Sequence, residues 1–371
     1  RSDRRFRARL GGTRKEVERQ FEQGFPFLPA GCHMELDRVA SERVLSSIRN
    51  ALPRNITERA AELRELAARQ GDVTLKQFLD ATGLELDDVY AGNHSWSDLR
   101  ERAGLQNAAP GEHEAILRRA CGRMLHVDDP ERLATWRAWL QQDVPNVGDV
   151  PDSERNSRVL RMLLGQLLDQ VPGAGGLSLR DGVDVPRTHP QVRRELVELF
   201  EVLEDRVSHV TPTLELLPEV PLHVHARYTR IEILAACGVG EGVRVASWQT
   251  GVRYVEALPA DLLAFTLDKT SGAFSPTTRY RDYAISRELI HWESQSVTRA
   301  DSETGRRYQE HVARGSHVLL FARLNTDERA FHFLGPARYV RHEGEQPMAI
   351  TWKLEYRLPG DLYQAFAAAV A

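Results

Sequence analysis

The chain has 371 residues, 42% of them hydrophobic, and a formal net charge of -4. That is enough apolar material for ordinary globular cores and predicts two or three domains. It excludes a global basic field of the kind that announces a nucleic-acid binder. The charge is uneven, with net +4 over residues 1–34, net -9 over 35–221 and net +1 over 222–371. A polyanion is therefore expected to meet the ends of the chain. Only four of the 49 basic residues are lysines; a GC-rich genome accounts for this, and arginine also suits phosphate and base contacts better. Cys32, Cys121 and Cys237 are far apart, without zinc spacing or a disulfide framework, which predicts a reduced, cytoplasmic compartment. No apolar run reaches the ~18 residues of a membrane span, so no membrane partner is expected. Residue 1 is Arg, and the sequence reads as a processed protein or a piece of a longer one.

Residues 1–34 are basic, then aromatic and Pro-rich, and Pro26 and Pro29 make Gly24–Gly31 an extended connector. Residues 35–220 read as helical. Leu36, Ala40, Val44 and Ile48 recur at four-residue steps. A helix from Thr57 stops at Gly71, and the capping box Thr74/Gln77 opens one that ends near Gly83. Short helices follow around Leu86–Ala91 and Trp96–Ala103. Asp129 caps a helix with Pro130 in its first turn. Val159, Met162, Leu163 and Leu167 mark another, and Pro190 opens a long one through Leu203. Gly-rich Val171–Val185 reads as a surface loop.

Pro212, Pro218 and Pro221 mark a boundary, and residues 221–371 change pattern. A second capping box, Thr229/Glu232, opens a helix ending at Gly238. Strand-like runs follow at Val243–Trp248, Leu262–Asp268, His317–Arg323, Phe331–Leu334 and Met348–Tyr356. In the last, Met348, Ile350, Trp352, Leu354 and Tyr356 alternate with Ala349, Thr351, Lys353 and Glu355. A short helix near Asp361–Ala369 closes the chain. The expected class is α+β, a helical domain followed by a small mixed β-barrel.

No GxGxxG, Walker A, HExxH or GxSxG motif is present. His223 and His225 have the spacing of strand ligands without a partner cluster, and a surface strand pair is the plainer reading. The helices between Thr74 and Gly104 have the size of a helix-turn-helix, but Glu85, Asp87 and Asp88 would repel phosphate; a packed bundle fits better. Asp282 and Glu293 are imaginable as a nuclease metal pair, without the further carboxylates that chemistry uses. The most informative stretch is Phe274–Ser296, FSPTTRYRDYAISRELIHWESQS, whose first dozen residues follow neither a helical nor a strand period. A base pocket needs faces and an edge reader. Trp248, Tyr280, Tyr283 and Trp292 supply faces, Asp282 an acceptor for an exocyclic amine, and His291 or Gln295 a second edge. Arg253, Arg279 and Arg281 supply phosphate contacts. The competing reading makes the aromatics core and Asp282 a turn cap.

The segments YTRIEILAACG (228–238), GVRY (251–254), FSPTTRYRDYAIS (274–286), HWESQS (291–296), TGRRYQEH (304–311), GSHVLLFAR (315–323) and FLGPARYVRHEGEQPMAITWKLE (333–355) together resemble the domain of unknown function at the C-terminus of bacterial superfamily 2 (DEAD/DEAH-box) helicases. Some of these helicases also carry an N-terminal phospholipase-D-like nuclease. QGFPFLPAGCHMELDRVA (23–40) resembles the join after the second RecA-like domain. The resemblance implies a helicase engine on the N-terminal side, with ATP and Mg as cofactors of that parent and none here. It implies kinship with ATP-dependent type IV restriction enzymes of the SauUSI kind, whose C-terminal domain is similar to PUA/SRA-like readers of modified cytosine. The expectation is a DNA-binding, non-enzymatic C-terminal region in restriction or phage defence. Its partners would be duplex DNA, modified or not, and its own helicase domains; a homodimer is compatible. The alternatives are a structural coupling or partner-binding module without base reading, and a metal-dependent nuclease.

Overall fold

A computed structural model describes residues 55–106, 111–142, 153–267 and 282–368. The expected connector, the helix at Leu36–Ile48 and the first residues of the informative stretch lie outside them. The chain divides into two compact units. The described residues up to Leu125 join Thr188–Val202, and His126–Arg187 join the residues from Leu203 onward. The expected division at residue 220 follows a change in sequence pattern; the units follow packing, which places the segment 126–187 with the C-terminal sheet.

The first unit is helical: α1 (Ile56–Gln70), α2 (Leu75–Thr82), α3 (Leu86–Val89), α4 (Trp96–Arg102) and α5 (Glu114–Gly122), with part of the helix Pro190–Arg206. Asn55, Thr74 and Ser95 cap α1, α2 and α4, and Gly83 ends α2 in the left-handed region (φ 76°) where a side chain would be strained. Two carboxylates of the long helix cap others from outside. Glu195 accepts the N–H groups of Trp96 (3.0 Å) and Ser97 (2.9 Å), and Glu198 accepts Leu75 N–H (2.7 Å) and the Trp96 indole (2.8 Å). Arg100 is buried against Asp72 and the Val73 carbonyl, and Arg118 ties together Asp98, Glu101 and Glu114. These contacts are those of a packed bundle, with Trp96 and Arg100 turned inward.

The second unit opens with α6 (Pro130–Gln141) and α7 (Glu154–Leu168). Where a Gly-rich loop was expected, a 3-10 turn at Ala174–Gly176 leads into α8 (Leu179–Thr188). The signal lay in Ser178 and Asp181, whose side chains cap each other's N–H groups. Gly182 stands within this helix at a position where a Cβ would come within 2.5 Å of Val243. The long helix Pro190–Arg206 is α9. After β1 (Arg227–Tyr228), α10 (Arg230–Ala236) lies along α7, and the ribbon β2 (Gly240–Glu241) and β3 (Arg244–Val245) follows. The expected strand Val243–Trp248 shrinks to that pair.

The sheet consists of β4 (Val252–Val255), β5 (Ala260–Thr266), β6 (Tyr283–Ala284), β7 (Leu289–Glu293), β8 (His317–Arg323), β9 (Phe331–Glu343) and β10 (Ala349–Leu354). Its order is β4-β5-β8-β9-β10-β7-β6, with β1 also on β9. It is mixed: β5 and β8 run parallel, with Leu263 opposite Leu320, and the other pairs are antiparallel. The α+β class thus holds. The described strands do not close into a barrel, since the path ends at β4 on one side and β6 on the other. β9 turns the sheet. Its first residues pair with β1 and β8, its later ones with β10, and Gly335 (φ 94°) sits at the change of direction, where a Cβ would lie 3.2 Å from Tyr356 and Val224. One core unites Leu263, Leu320, Ile290, Trp292, Ile350 and Trp352 with Tyr308 of α11 (Glu303–Glu310) and Phe366 of α12 (Gly360–Ala368).

Candidate nucleic-acid interface

Strand alternation decides which side chains of β7 and β10 can meet a ligand. On β7, Ile290 and Trp292 belong to the core, while Leu289, His291 and Glu293 are half-buried on the other side. On β10, Ile350, Trp352 and Leu354 point into the core, and Ala349, Thr351 and Lys353 lie on the other side, where Thr351 is buried and Lys353 exposed. Registry then aligns a row across four strands: Tyr283 opposite His291, His291 opposite Thr351, and Thr351 opposite Arg341. The next row places Leu289 opposite Lys353 and Lys353 opposite Arg338. Directly opposed residues share a face. The off-core face therefore carries two rings beside Lys353, Arg341 and Arg338.

The rings of Tyr283 and His291 are stacked, 4.7 Å between centroids and 25° between planes, and both are half-buried. Arg341 and Arg338 are more than half exposed and pair loosely with Glu343 (3.4 Å) and Glu355 (3.0 Å). Surface pairs of this kind contribute ~0–1 kcal/mol.

The other expected site residues take different places. Trp292 is 3% exposed, edge-on to Tyr308 at 5.8 Å and tilted against Trp352 at 6.5 Å. It is a core residue, and its faces are already covered. Asp282 is likewise buried, and its Oδ1 accepts the N–H of Glu293 (3.0 Å), fastening the residue before β6 to the end of β7. Asp282 thus serves as an acceptor within the hairpin rather than as the cap of a local turn. Trp248 is buried beneath Arg230, whose guanidinium lies 5.5 Å from its ring centre. Arg253 is half-buried on β4, opposite Leu262, and Gln295 is half-buried in the turn after β7. Arg279, Tyr280 and Arg281 lie outside the described residues. Of the ten residues proposed from sequence, the hairpin β6–β7 brings together Tyr283 and His291.

Arg338, Arg341 and Lys353 were not foreseen. The alternation of Met348–Tyr356 already set Lys353 opposite Trp352 in direction, but placing Arg341 in the row of His291 requires the register of three strands. A shallow hollow lined by Gly165, Asp169, Ile231, Arg244 and Val245 lies elsewhere in the second unit and has no aromatic wall.

The histidines His223 and His225 are buried rather than set on a surface strand. His223 donates to the Thr211 carbonyl (3.0 Å) and to Glu131 (2.8 Å), and this pairing raises its pKa against the opposing effect of burial while holding Glu131 down to about 2. Burial pulls His225 down to about 4. Among the described residues, no three His, Cys, Asp or Glu side chains are grouped to hold a metal ion, and no helix is long and apolar enough to cross a membrane.

Residues 222–366 match the family described as a domain of unknown function, DUF3427. The match covers β1, α10, the whole sheet and most of α12, and every motif quoted above from residue 228 onward falls inside it. No curated protein matches the chain.

Proposed function

We propose that the C-terminal sheet is a DNA-contacting module with a PUA/SRA-like role, belonging to the C-terminal region of a superfamily 2 helicase in restriction or phage defence. On this reading ATP and Mg serve the parent helicase, the compartment is the cytoplasm, and this region reads DNA without cutting it. The observation that carries the proposal is the off-core row of Tyr283 and His291 beside Lys353, Arg341 and Arg338. Half-covered rings offer a face to an extruded or unstacked base, and stacking is worth ~1–3 kcal/mol per base. The flanking cations suit backbone phosphates. The contact differs from the pocket expected around Asp282 and Trp292, both of which the fold consumes internally.

The test is fluorescence anisotropy of the full chain on plain, cytosine-methylated and hydroxymethylated duplexes at one fixed salt concentration. Tyr283→Ala with His291→Ala is expected to weaken binding of the preferred duplex about 10-fold or more, in line with the loss of one stacking contact. Equal and weak binding of all three duplexes, unchanged in the double variant, would remove the proposal. It would favour the second reading, a coupling module without base contacts, which draws its support from the burial of Asp282 and Trp292.

A further inference from the structure

Buried and half-buried arginines in the second unit usually meet a carboxylate. Arg132 pairs with Glu232 (2.6 Å), Arg307 takes both oxygens of Asp261 (2.7 and 2.8 Å), and Arg227 pairs with Asp128 (2.9 Å). Arg230, at the start of α10, and Arg323, at the end of β8, do not. Arg230 gives Nη1 to the main-chain carbonyls of Trp248 and Gln249, both at 3.1 Å. Arg323 gives Nε to the Thr266 hydroxyl (2.9 Å) and Nη1 to the Glu328 carbonyl (2.5 Å). All four acceptors are neutral. The Glu328 carboxylate, which adds a favourable charge near Arg323, is itself accepting the N–H of Leu324 (3.0 Å).

The two guanidiniums share one ring, lying 5.6 Å (Arg230) and 4.7 Å (Arg323) from the centre of Phe331. Burial and, for Arg230, the charge of Arg323 push their pKa values below the ordinary arginine range. Arg230 Nε and the indole N–H of buried Trp248 have no acceptor. A fold that fixes two cations on one aromatic ring, holds each by neutral acceptors and leaves N–H donors in surplus keeps a positive charge that, among the described residues, only the nearby Glu328 carboxylate offsets. The guanidinium fork matches the oxygens of phosphate and can bind two at once, and the main-chain contacts pre-set its orientation.

We propose that Arg230 and Arg323, set on Phe331 beside Trp248, form a binding site for a phosphate group. The site is distinct from the Tyr283–His291 row and does not require that DNA be its ligand. Free phosphate or pyrophosphate and the backbone of a nucleic acid share this chemistry, and the test separates them.

The probes are sodium phosphate, pyrophosphate and a duplex oligonucleotide, offered to the full chain with chloride keeping ionic strength constant. Wild-type protein is expected to show a phosphate-dependent rise in melting temperature and added hydrogen-exchange protection at 228–236 and 320–332. Arg323→Gln and Arg230→Gln should lose at least 10-fold in pyrophosphate affinity, and Arg323→Lys, which keeps the charge and loses the fork, should fall between. A duplex affinity that falls in the same variants, with the salt slope reduced by about one per lost contact, assigns the site to a nucleic-acid backbone. A duplex affinity that stays while pyrophosphate is lost assigns it to a free anion. Should a glutamine variant fail to fold, the wild-type exchange experiment and Arg323→Lys still decide. No phosphate-dependent protection in wild type, or equal pyrophosphate affinity in Arg323→Lys, overturns the proposal. Tyr283→Ala with His291→Ala leaves the pyrophosphate affinity and the phosphate-dependent protection unchanged, so failure of the base-contact reading and failure of the phosphate site are told apart.

Discussion

Each unit is organised around a glutamate without solvent exposure, and the two behave oppositely. In the first unit Glu195 accepts two N–H groups at the start of α4, among the described residues without a guanidinium contact, and burial raises its pKa to about 7. In the second, Glu232 meets Arg132 (2.6 Å) and His126 (2.7 Å) and accepts the N–H of Thr229 (2.8 Å), and these offset desolvation and hold its pKa down to about 2. At Glu195 the hydrogen bonds do not offset desolvation, whereas at Glu232 the paired cations do. One unit therefore buries a carboxyl that tends to keep its proton at neutral pH, the other a full ion pair.

The largest effect should come from breaking that pair. Glu232→Gln leaves buried Arg132 with Asp129 as its remaining carboxylate contact, and removal of one partner of a buried pair costs ~3–5 kcal/mol. Urea unfolding followed by hydrogen exchange at residues 126–136 and 228–236 reads it, and a loss below about 1 kcal/mol would show the network to be dispensable. Glu195→Gln should cost less, because the amide oxygen still accepts one N–H, and its cost should shrink as pH rises from 5 to 8. Wild-type protein loses the contribution of protonated Glu195 over that range and the glutamine variant does not.

The same contrast predicts opposite pH responses. Glu195 has a folded pKa above its ordinary value, so its contribution is present below about pH 4.5 and lost as pH rises through about 7. Glu232 has a lowered pKa, so its contribution is present above about pH 4.5 and lost as pH falls toward 2. His225 and His332 are pulled to about 4 by burial, and the unfolded chain takes up their protons first as pH falls below about 6.5. His223, whose pKa is raised, works the other way, but His225, His332, His311 and His317 are all lowered, so acid should on balance loosen the second unit while it steadies the first. Exchange protection at pH 5 and pH 8, corrected for intrinsic rates, checks this; a parallel change in both units would contradict it.

Local signals in the sequence found most elements. The boxes Thr74/Gln77 and Thr229/Glu232, the Asp129–Pro130 start and the alternation after Met348 all mark observed helices and strands. β8 has the bounds expected, His317–Arg323. The expected strand at Phe331–Leu334 stops at Gly335 and Pro336, whereas β9 continues to Glu343 because the glycine turns the chain within the strand. The site was harder. Composition could mark Tyr283, His291, Trp292 and Asp282 as one aromatic and acidic group, but side-chain direction separates them. Period two sends His291 outward and Trp292 inward, and Asp282 sits where a backbone N–H needs an acceptor. Registry, which brings Arg341 into the row of His291, and the meeting of Arg230 with Arg323 on Phe331 depend on strand neighbours far apart in sequence.

The smallest predicted effects compare one motif in both units. Thr74 caps α2 at a partly exposed position, accepting the N–H of Gln77 (3.3 Å) while its own N–H donates to the Gln77 side chain (3.0 Å). Thr229 caps α10 in the same way, but it is buried, its hydroxyl donates to Glu232 (2.9 Å), and it accepts the side-chain amide of buried Gln166. Sequence cannot tell these boxes apart. Thr229→Ala removes the cap and one acceptor of the buried Gln166 amide, which keeps its 3.4 Å contact with Glu232, so the loss should exceed the ~1 kcal/mol of a lost cap. Thr74→Ala loses the cap alone, because water reaches the freed N–H. Denaturant midpoints of the two variants should therefore differ, with Thr229→Ala the lower. Equal midpoints would mean that the hydroxyl of Thr229 is spectator to the Arg132–Glu232 network, and that the two units rest on their helix caps to the same degree.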